Sequence, residues 1–145
     1  MRRSTILWSL RLGLAGLYLF AAIPKIIDPW SFARAIHNFR ILPTAVIPPL
    51  SVWLPVFEAV AAVAAATGIL YRGGVLALSA MSAVFALGIS SAMVRGLDID
   101  CGCFGSAANS RASLGHLALN AASLAAGIIL LAAREQRRRR LPRRT

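Results

Sequence analysis

Cys101 and Cys103 are the only cysteines in the chain, and one glycine separates them. They lie in Asp98-Ile99-Asp100-Cys101-Gly102-Cys103-Phe104-Gly105, a short polar patch between two long apolar stretches. At this spacing, whatever one thiol meets, the other meets too. A Cys-Gly-Cys can close a small strained ring, and glycine best accepts the backbone angles such a ring needs. Strain makes a disulfide easier to reduce, which favours exchange over stapling. The chemistry this suggests is that of a redox-active dithiol. Asp98 and Asp100 disfavour the thiolate, whereas Arg95 and Arg111 favour it. Two alternatives stay open: a structural disulfide or idle thiols, and a metal site completed by His116 or His37. Two sulfurs one residue apart fall short of the usual zinc-ligand spacing, so no metal ligand is assigned.

Glu58 is the only acidic residue inside any predicted span. An ionisable group within a span is a candidate functional residue by default. A bare charge there is avoided by protonation or by pairing, and Arg11 and Lys25 are the candidate partners. Glu58 is then either a proton relay or ligand-site acid, or half of an interhelical ion pair or hydrogen bond. His116, Asn120, Ser123 and Gly127 recur at intervals of four, three and four. They share one helix face, and in a membrane bundle such a face turns inward. His116, nearest the cysteines, is a candidate proton donor or acceptor for thiol exchange. The alternative is a stripe that only hydrogen-bonds helices together. His37 reads as a solvated surface residue.

The elements that must position these residues are membrane helices. Apolar residues make up 58% of the chain, against about 45–50% in soluble domains, and the mean hydropathy is +0.70. The net charge of +11 does not indicate nucleic acid. Much of it lies in residues 134–144, beside an apolar helix, where the positive-inside rule and anionic lipid explain it better. At 145 residues the chain is one membrane domain, residues 1–133, with a basic tail, residues 134–145. Met1-Arg2-Arg3 opens an apolar run without a convincing cleavage site, so the run is taken as an uncleaved first span.

The fold expected is all-α, a bundle of four transmembrane helices. Span one covers residues 5–23 and is ended by Pro24-Lys25. In it, Arg11 snorkels to the nearer interface and Gly13 and Gly16 give close-packing surface. Within residues 28–43, Asp28-Pro29 starts a short amphipathic helix. Phe32, Ile36, Phe39 and Leu42 recur there at helical spacing and Trp30 suits the interface. Span two covers residues 45–71, with Pro48, Pro49 and Pro55 delaying or kinking its first half. Tyr71-Arg72-Gly73-Gly74 is a tight turn. Spans three and four cover residues 75–94 and 114–133, joined by the cysteine segment at 95–113. The tail beyond Gln136 is expected to be disordered.

These features resemble the MauE family of methylamine-utilisation membrane proteins, within the wider DoxX-like group. The resemblance rests on Pro24-Lys25, Asp28-Pro29, Phe32, Leu42-Pro43, Leu54-Pro55 with Glu58, Gly68, Asp100 to Gly105, and Asn120. A glycine common in that family before the first lysine is replaced here by Ile23-Pro24. The resemblance implies a four-helix membrane protein that assists maturation or export of a disulfide-rich enzyme subunit beside a thioredoxin-like partner. It therefore implies thiol handling more than methylamine itself. The architecture is also similar to vitamin K epoxide reductase and DsbB, which couple cysteines to quinone. Their Cys-x-x-Cys pair is absent here, so quinone rests on analogy and the cofactor is left open. A small transporter subunit and a passive scaffold are the competing classes. The small size is compatible with a homo-oligomer or a partner subunit.

Four spans place both termini on one side. Ten basic residues lie on that side and five (Lys25, Arg34, Arg40, Arg95 and Arg111) on the other, with Arg11 uncounted. This orients the termini to the cytoplasm of a bacterial inner membrane and the cysteines outward, where disulfides persist. A fluorescent reporter that matures only in the cytoplasm should glow when fused to the C-terminus. A dark, stable fusion, with an active alkaline phosphatase fusion at the same point, reverses the orientation.

Overall fold

The structure is a computed structural model that describes residues 2–97 and 114–140. Asp98, Asp100, Cys101, Cys103 and Arg111 of the sequence reading lie outside the described residues. Five α-helices follow in order: α1 (Arg2–Ile27), α2 (Pro29–Asn38), α3 (Ile47–Thr67), α4 (Tyr71–Val94) and α5 (Leu114–Arg140), with a 3-10 turn at Thr44–Val46 before α3. There is no strand among the described residues. Four of these helices carry apolar stretches of 23 or 24 residues, enough to cross a hydrocarbon core that needs roughly 20. The chain is a multi-pass membrane protein.

The bundle is built inside-out relative to a soluble one. Its interior is lined by small residues: Ala15, Ala22, Ala61, Ala62, Ala65 and Ala92, with Ser79 and Ser82. Its exterior shows Ile6, Phe20, Trp53, Phe57, Val84, Leu87 and Ile128. In water this surface would be an aggregation site; in lipid it is the solvent-facing side. With no hydrophobic drive between helices, close backbone approach and hydrogen bonds hold the bundle. α1 packs on α3, α3 on α4 and α4 on α5, and α5 returns to α1. A β-carbon on Gly74 would lie 2.6 Å from the Ala65 nitrogen and 2.7 Å from the Ala61 carbonyl oxygen, so α4 meets α3 backbone to backbone there. Tyr18 reaches across from α1, donating its hydroxyl to Leu78 O at 3.2 Å and sharing a hydrogen bond with Ser82 Oγ.

Arg11 anchors the far end. Its Nε and Nη2 donate to Ala65 O and Ala66 O, each at 2.6 Å. These are among the last carbonyls of α3, which have no partner within their own helix. Gly68 ends α3 at φ +86, and its missing β-carbon leaves room for the Arg11 guanidinium. The same guanidinium stacks on Trp8 and Tyr71, and Arg134 stacks on Tyr71 as well.

The short helix α2 begins as the sequence predicts. Asp28 caps it by accepting from Ser31 N at 3.0 Å, with Pro29 in the first turn. Phe32 and Ala35 are buried, while His37 and Trp30 are exposed.

Several boundaries differ from expectation, each for a physical reason. Span one runs through Pro24 to Ile27, because Lys25 is buried and its partner lies inside the bundle. Proline is tolerated in such helices when neighbours re-satisfy the backbone. Helix α2 stops at Asn38, where Arg40 takes φ +51, so Leu42 lies beyond the helix. The tight turn falls at residues 68–70, set by the left-handed Gly68, and Tyr71 to Gly74 open α4. Pro48 and Pro49 stand at the start of α3, where a missing N–H costs nothing; Pro55 is within the helix. Helix α5 runs to Arg140 instead of giving way after Gln136. Gly13 and Gly16 face outward with nothing within 4 Å, because α1 buries Leu14, Ala15, Tyr18, Ala21 and Ala22 instead. The close-packing glycines are Gly74 and Gly127.

Replacing Gly74 by alanine should therefore destabilise the bundle by about 1–3 kcal/mol, the usual cost of overpacking. Gly13→Ala should show no such loss. Reversible unfolding in mixed micelles measures both, and equal behaviour of the two variants contradicts this packing.

Candidate functional site

The polar centre of the bundle is an ion pair. Lys25 Nζ lies 2.9 Å from Glu58 Oε2 and donates to Oε1 at 3.3 Å. Each residue is about 1% exposed. Of the two candidate partners for Glu58, the structure selects Lys25, since Arg11 is engaged at the other end of α3. The ammonium also lies 5.3 Å from the Phe32 ring and 5.2 Å from the Phe85 ring, the geometry of cation–π contact. One cation is thus held by a carboxylate and the faces of two aromatic rings.

Local sequence explains each placement. Lys25 stands in the last turn of α1, where a cation meets the negative end of the helix dipole. Its side chain leans back along α1, as helical side chains do, and so points into the bundle. Glu58 lies in the alanine-rich half of α3, where small neighbours let helices approach. Phe32 comes from the buried face of α2, so the amphipathic helix closes the site from one end.

Beside the pair is a cavity of about 30 Å³, lined by Leu17, Tyr18, Ala21, Lys25, Glu58, Phe85, Leu119, Asn120 and Ser123. That is room for about two water molecules. Of the polar stripe on α5, Asn120 and Ser123 face this cavity, and Gly127 packs against Ser79 and Val75 of α4. His116 is half-buried one turn further on and does not line the cavity; its carbonyl accepts from Asn120 Nδ2 at 2.9 Å. The stripe therefore turns inward, joining Glu58 to Asn120 and Ser123 without bringing His116 onto the pair. Among the described residues, no three metal-ligating side chains gather at one point.

Sequence reasoning missed Tyr18, Phe85 and Ser82. Their signal was weak, because an aromatic or serine in an apolar span reads as ordinary packing. The pairing of Lys25 was legible only as one of two possibilities.

This arrangement defines a polytopic membrane protein, four spanning helices closed around one buried lysine–glutamate pair with a fifth, amphipathic helix at one end. The chain belongs to the MauE family: the family model described as "Methylamine utilisation protein MauE" matches residues 3–133. It is 37% identical over 100 residues to the methylamine utilization protein MauE of Paracoccus denitrificans, covering 68% of this chain and 54% of that protein. It is 34% identical over 139 residues to the protein of the same name from Paracoccus versutus, covering 92% and 75%. The chain thus matches about half the length of the first of these relatives. No solved structure matches it.

Lys25→Met or Glu58→Leu alone should each cost about 3–5 kcal/mol, because one buried charge is left unpaired. The double variant should recover most of that loss. A double-mutant cycle on the full chain checks this, and simply additive losses contradict a coupled pair.

Proposed function

We propose that this protein is a membrane accessory factor for thiol–disulfide handling outside the cytoplasm. It would serve a maturation process of the kind that its relatives' name, methylamine utilisation, indicates. Cys101 and Cys103 exchange with a thioredoxin-like extracytoplasmic protein. In that exchange two thiols on one protein become a disulfide while the disulfide on the other becomes two thiols. Electrons and protons balance between the two, and either direction is open.

The observation that carries this reading is the Cys-Gly-Cys pair in the segment joining α4 and α5 of a MauE family chain. The charge distribution supports placing the segment outside and both termini inside. On this reading the domain is residues 1–133, with residues 134–145 as a basic cytoplasmic extension. Glu58 with Lys25 ties α1 to α3 at the centre of the bundle, and His116 is the nearest base to the cysteines along α5. A second copy of the chain or another subunit as neighbour is compatible with the outward face of Gly13 and Gly16. The competing reading is a small permease. The cavity beside Glu58 argues against it, since about 30 Å³ admits water and nothing larger.

Cys101→Ser and Cys103→Ser should each abolish maturation activity while leaving membrane insertion and abundance nearly intact, because span length and helix packing hold the fold. One single variant should trap a mixed disulfide with the partner, since exchange proceeds through that intermediate. An impermeant maleimide, applied to cells with and without prior reduction, reads the redox state. Full activity in the double serine variant overturns the proposal.

A further inference from the structure

A second cavity lies apart from the ion pair. It is about 460 Å³ in volume and runs between α2, the connection to α3, and the adjoining sides of α3 and α4. This falls within the roughly 300–1,000 Å³ of ligand-sized pockets. Phe32, Phe39, Leu54, Phe85 and Leu87 are among its walls, and Ser91 is the one hydroxyl among the residues that line it. Gly88 keeps it open. A β-carbon there would meet the Phe39 ring at an ordinary 3.8 Å, so close packing does not require glycine, but a larger side chain would enter the groove. Such a lining offers a ligand hydrocarbon contact and almost no hydrogen bonds. It suits a flexible chain better than a ring whose carbonyls need donors.

The mouth has the opposite chemistry. Arg95 stands one turn beyond Ser91 and is exposed. It donates Nε to Ser91 O at 3.4 Å, Nη1 to Arg40 O at 3.5 Å, and Nη2 to Phe39 O. Arg40 is exposed too, placed between Phe39 and Ile41, which both line the groove. Among the described residues it is the non-glycine residue with positive φ, at +51, a conformation uncommon enough to point to local constraint. Two exposed arginines thus stand together at the end of an apolar groove, the Arg95 side chain on the Arg40 backbone carbonyl. Among the described residues no carboxylate pairs with either: Asp28 caps α2 and Glu58 holds Lys25.

We propose that the groove holds one acyl chain of an anionic phospholipid, with the lipid phosphate at Arg40 and Arg95. The hydrocarbon lining takes the tail, and the two exposed arginines select the headgroup. Phe32 and Phe85 separate this lipid from the buried ammonium, because both rings line the groove and both face Lys25 Nζ. The lipid therefore sits behind the wall of the ion-pair site without entering it.

The test uses the full chain in nanodiscs doped with photoactivatable lipids that carry a diazirine on one acyl chain. The headgroup is phosphatidylglycerol in one sample and phosphatidylcholine in the other. The expected result is stronger labelling of the groove face of α2 and α4 by phosphatidylglycerol, with equal labelling of the outer face of α5 around Ile128 by both. Arg40→Gln and Arg95→Gln should each reduce the preference for phosphatidylglycerol about fivefold without moving the labelled peptides. Gly88→Leu should remove groove labelling. Val84→Trp, at an exposed position on the rim, should do the same without loading the core should Gly88→Leu misfold. Equal labelling by the two lipids overturns the proposal, as it would if Asp98 and Asp100 neutralised the arginines. Labelling unchanged by a filled groove also overturns it. So does competition by a neutral isoprenoid quinone at equal dose, which would identify a different occupant.

Discussion

Everything in this bundle is arranged around a charge that has no business in hydrocarbon unless it is paired. Lys25 and Glu58 are each buried, 2.9 Å apart, on two helices that are not neighbours in sequence. The effective penalty for burying an ion is several kcal/mol, and good geometry is needed to offset it. Here the geometry includes both carboxylate oxygens and the faces of Phe32 and Phe85. Meeting that need explains the course of α1. A helix that stopped at Pro24 would leave Lys25 at an interface, yet α1 continues to Ile27 and Asp28 then starts α2. The pair thus sets where α1 ends, where α2 begins and which face of α2 is buried.

The opposite end follows the same logic with a different acceptor. Arg11 has no carboxylate and uses the carbonyls of Ala65 and Ala66 instead. A guanidinium is well suited to this, with donors in a fixed fork and weaker hydration than an ammonium. α1 is therefore tied to α3 by a cation near each end, and the length between is packed with alanine. Tyr18, in the middle, links α1 to α4. Since lipid is as apolar as leucine, the leucine and phenylalanine surface outside contributes residence in the membrane, whereas these polar ties contribute the unique arrangement.

The four spans, the amphipathic α2 with its Asp28-Pro29 start, and the inward stripe of Asn120 and Ser123 were legible because length, periodicity and capping are local properties. Boundaries at Pro24, Leu42 and Tyr71 were misjudged because tertiary contacts decided them: a buried lysine carried one helix past a proline. The left-handed Arg40 ended another helix early, and the left-handed Gly68 set the turn. Gly13 and Gly16 misled because a small residue signals close approach only on the face that turns inward. That face is known only when the partner helices are. The lysine–glutamate pair was half legible, since hydropathy marks Glu58 as anomalous but does not choose between Lys25 and Arg11. The choice is made by the antiparallel alignment of α1 with α3, a long-range fact.

Side-chain contacts also fix the end of α4. Leu97 is the last described residue before the cysteines, and Arg95 ties that end of α4 to the carbonyls of Phe39 and Arg40. On α5, Asn120 and Ser123 line the cavity beside the Lys25–Glu58 pair. Loss of the buried pair would thus be felt by α5 as well as by α1 and α3. The ion pair acts as a positioning element for the whole bundle.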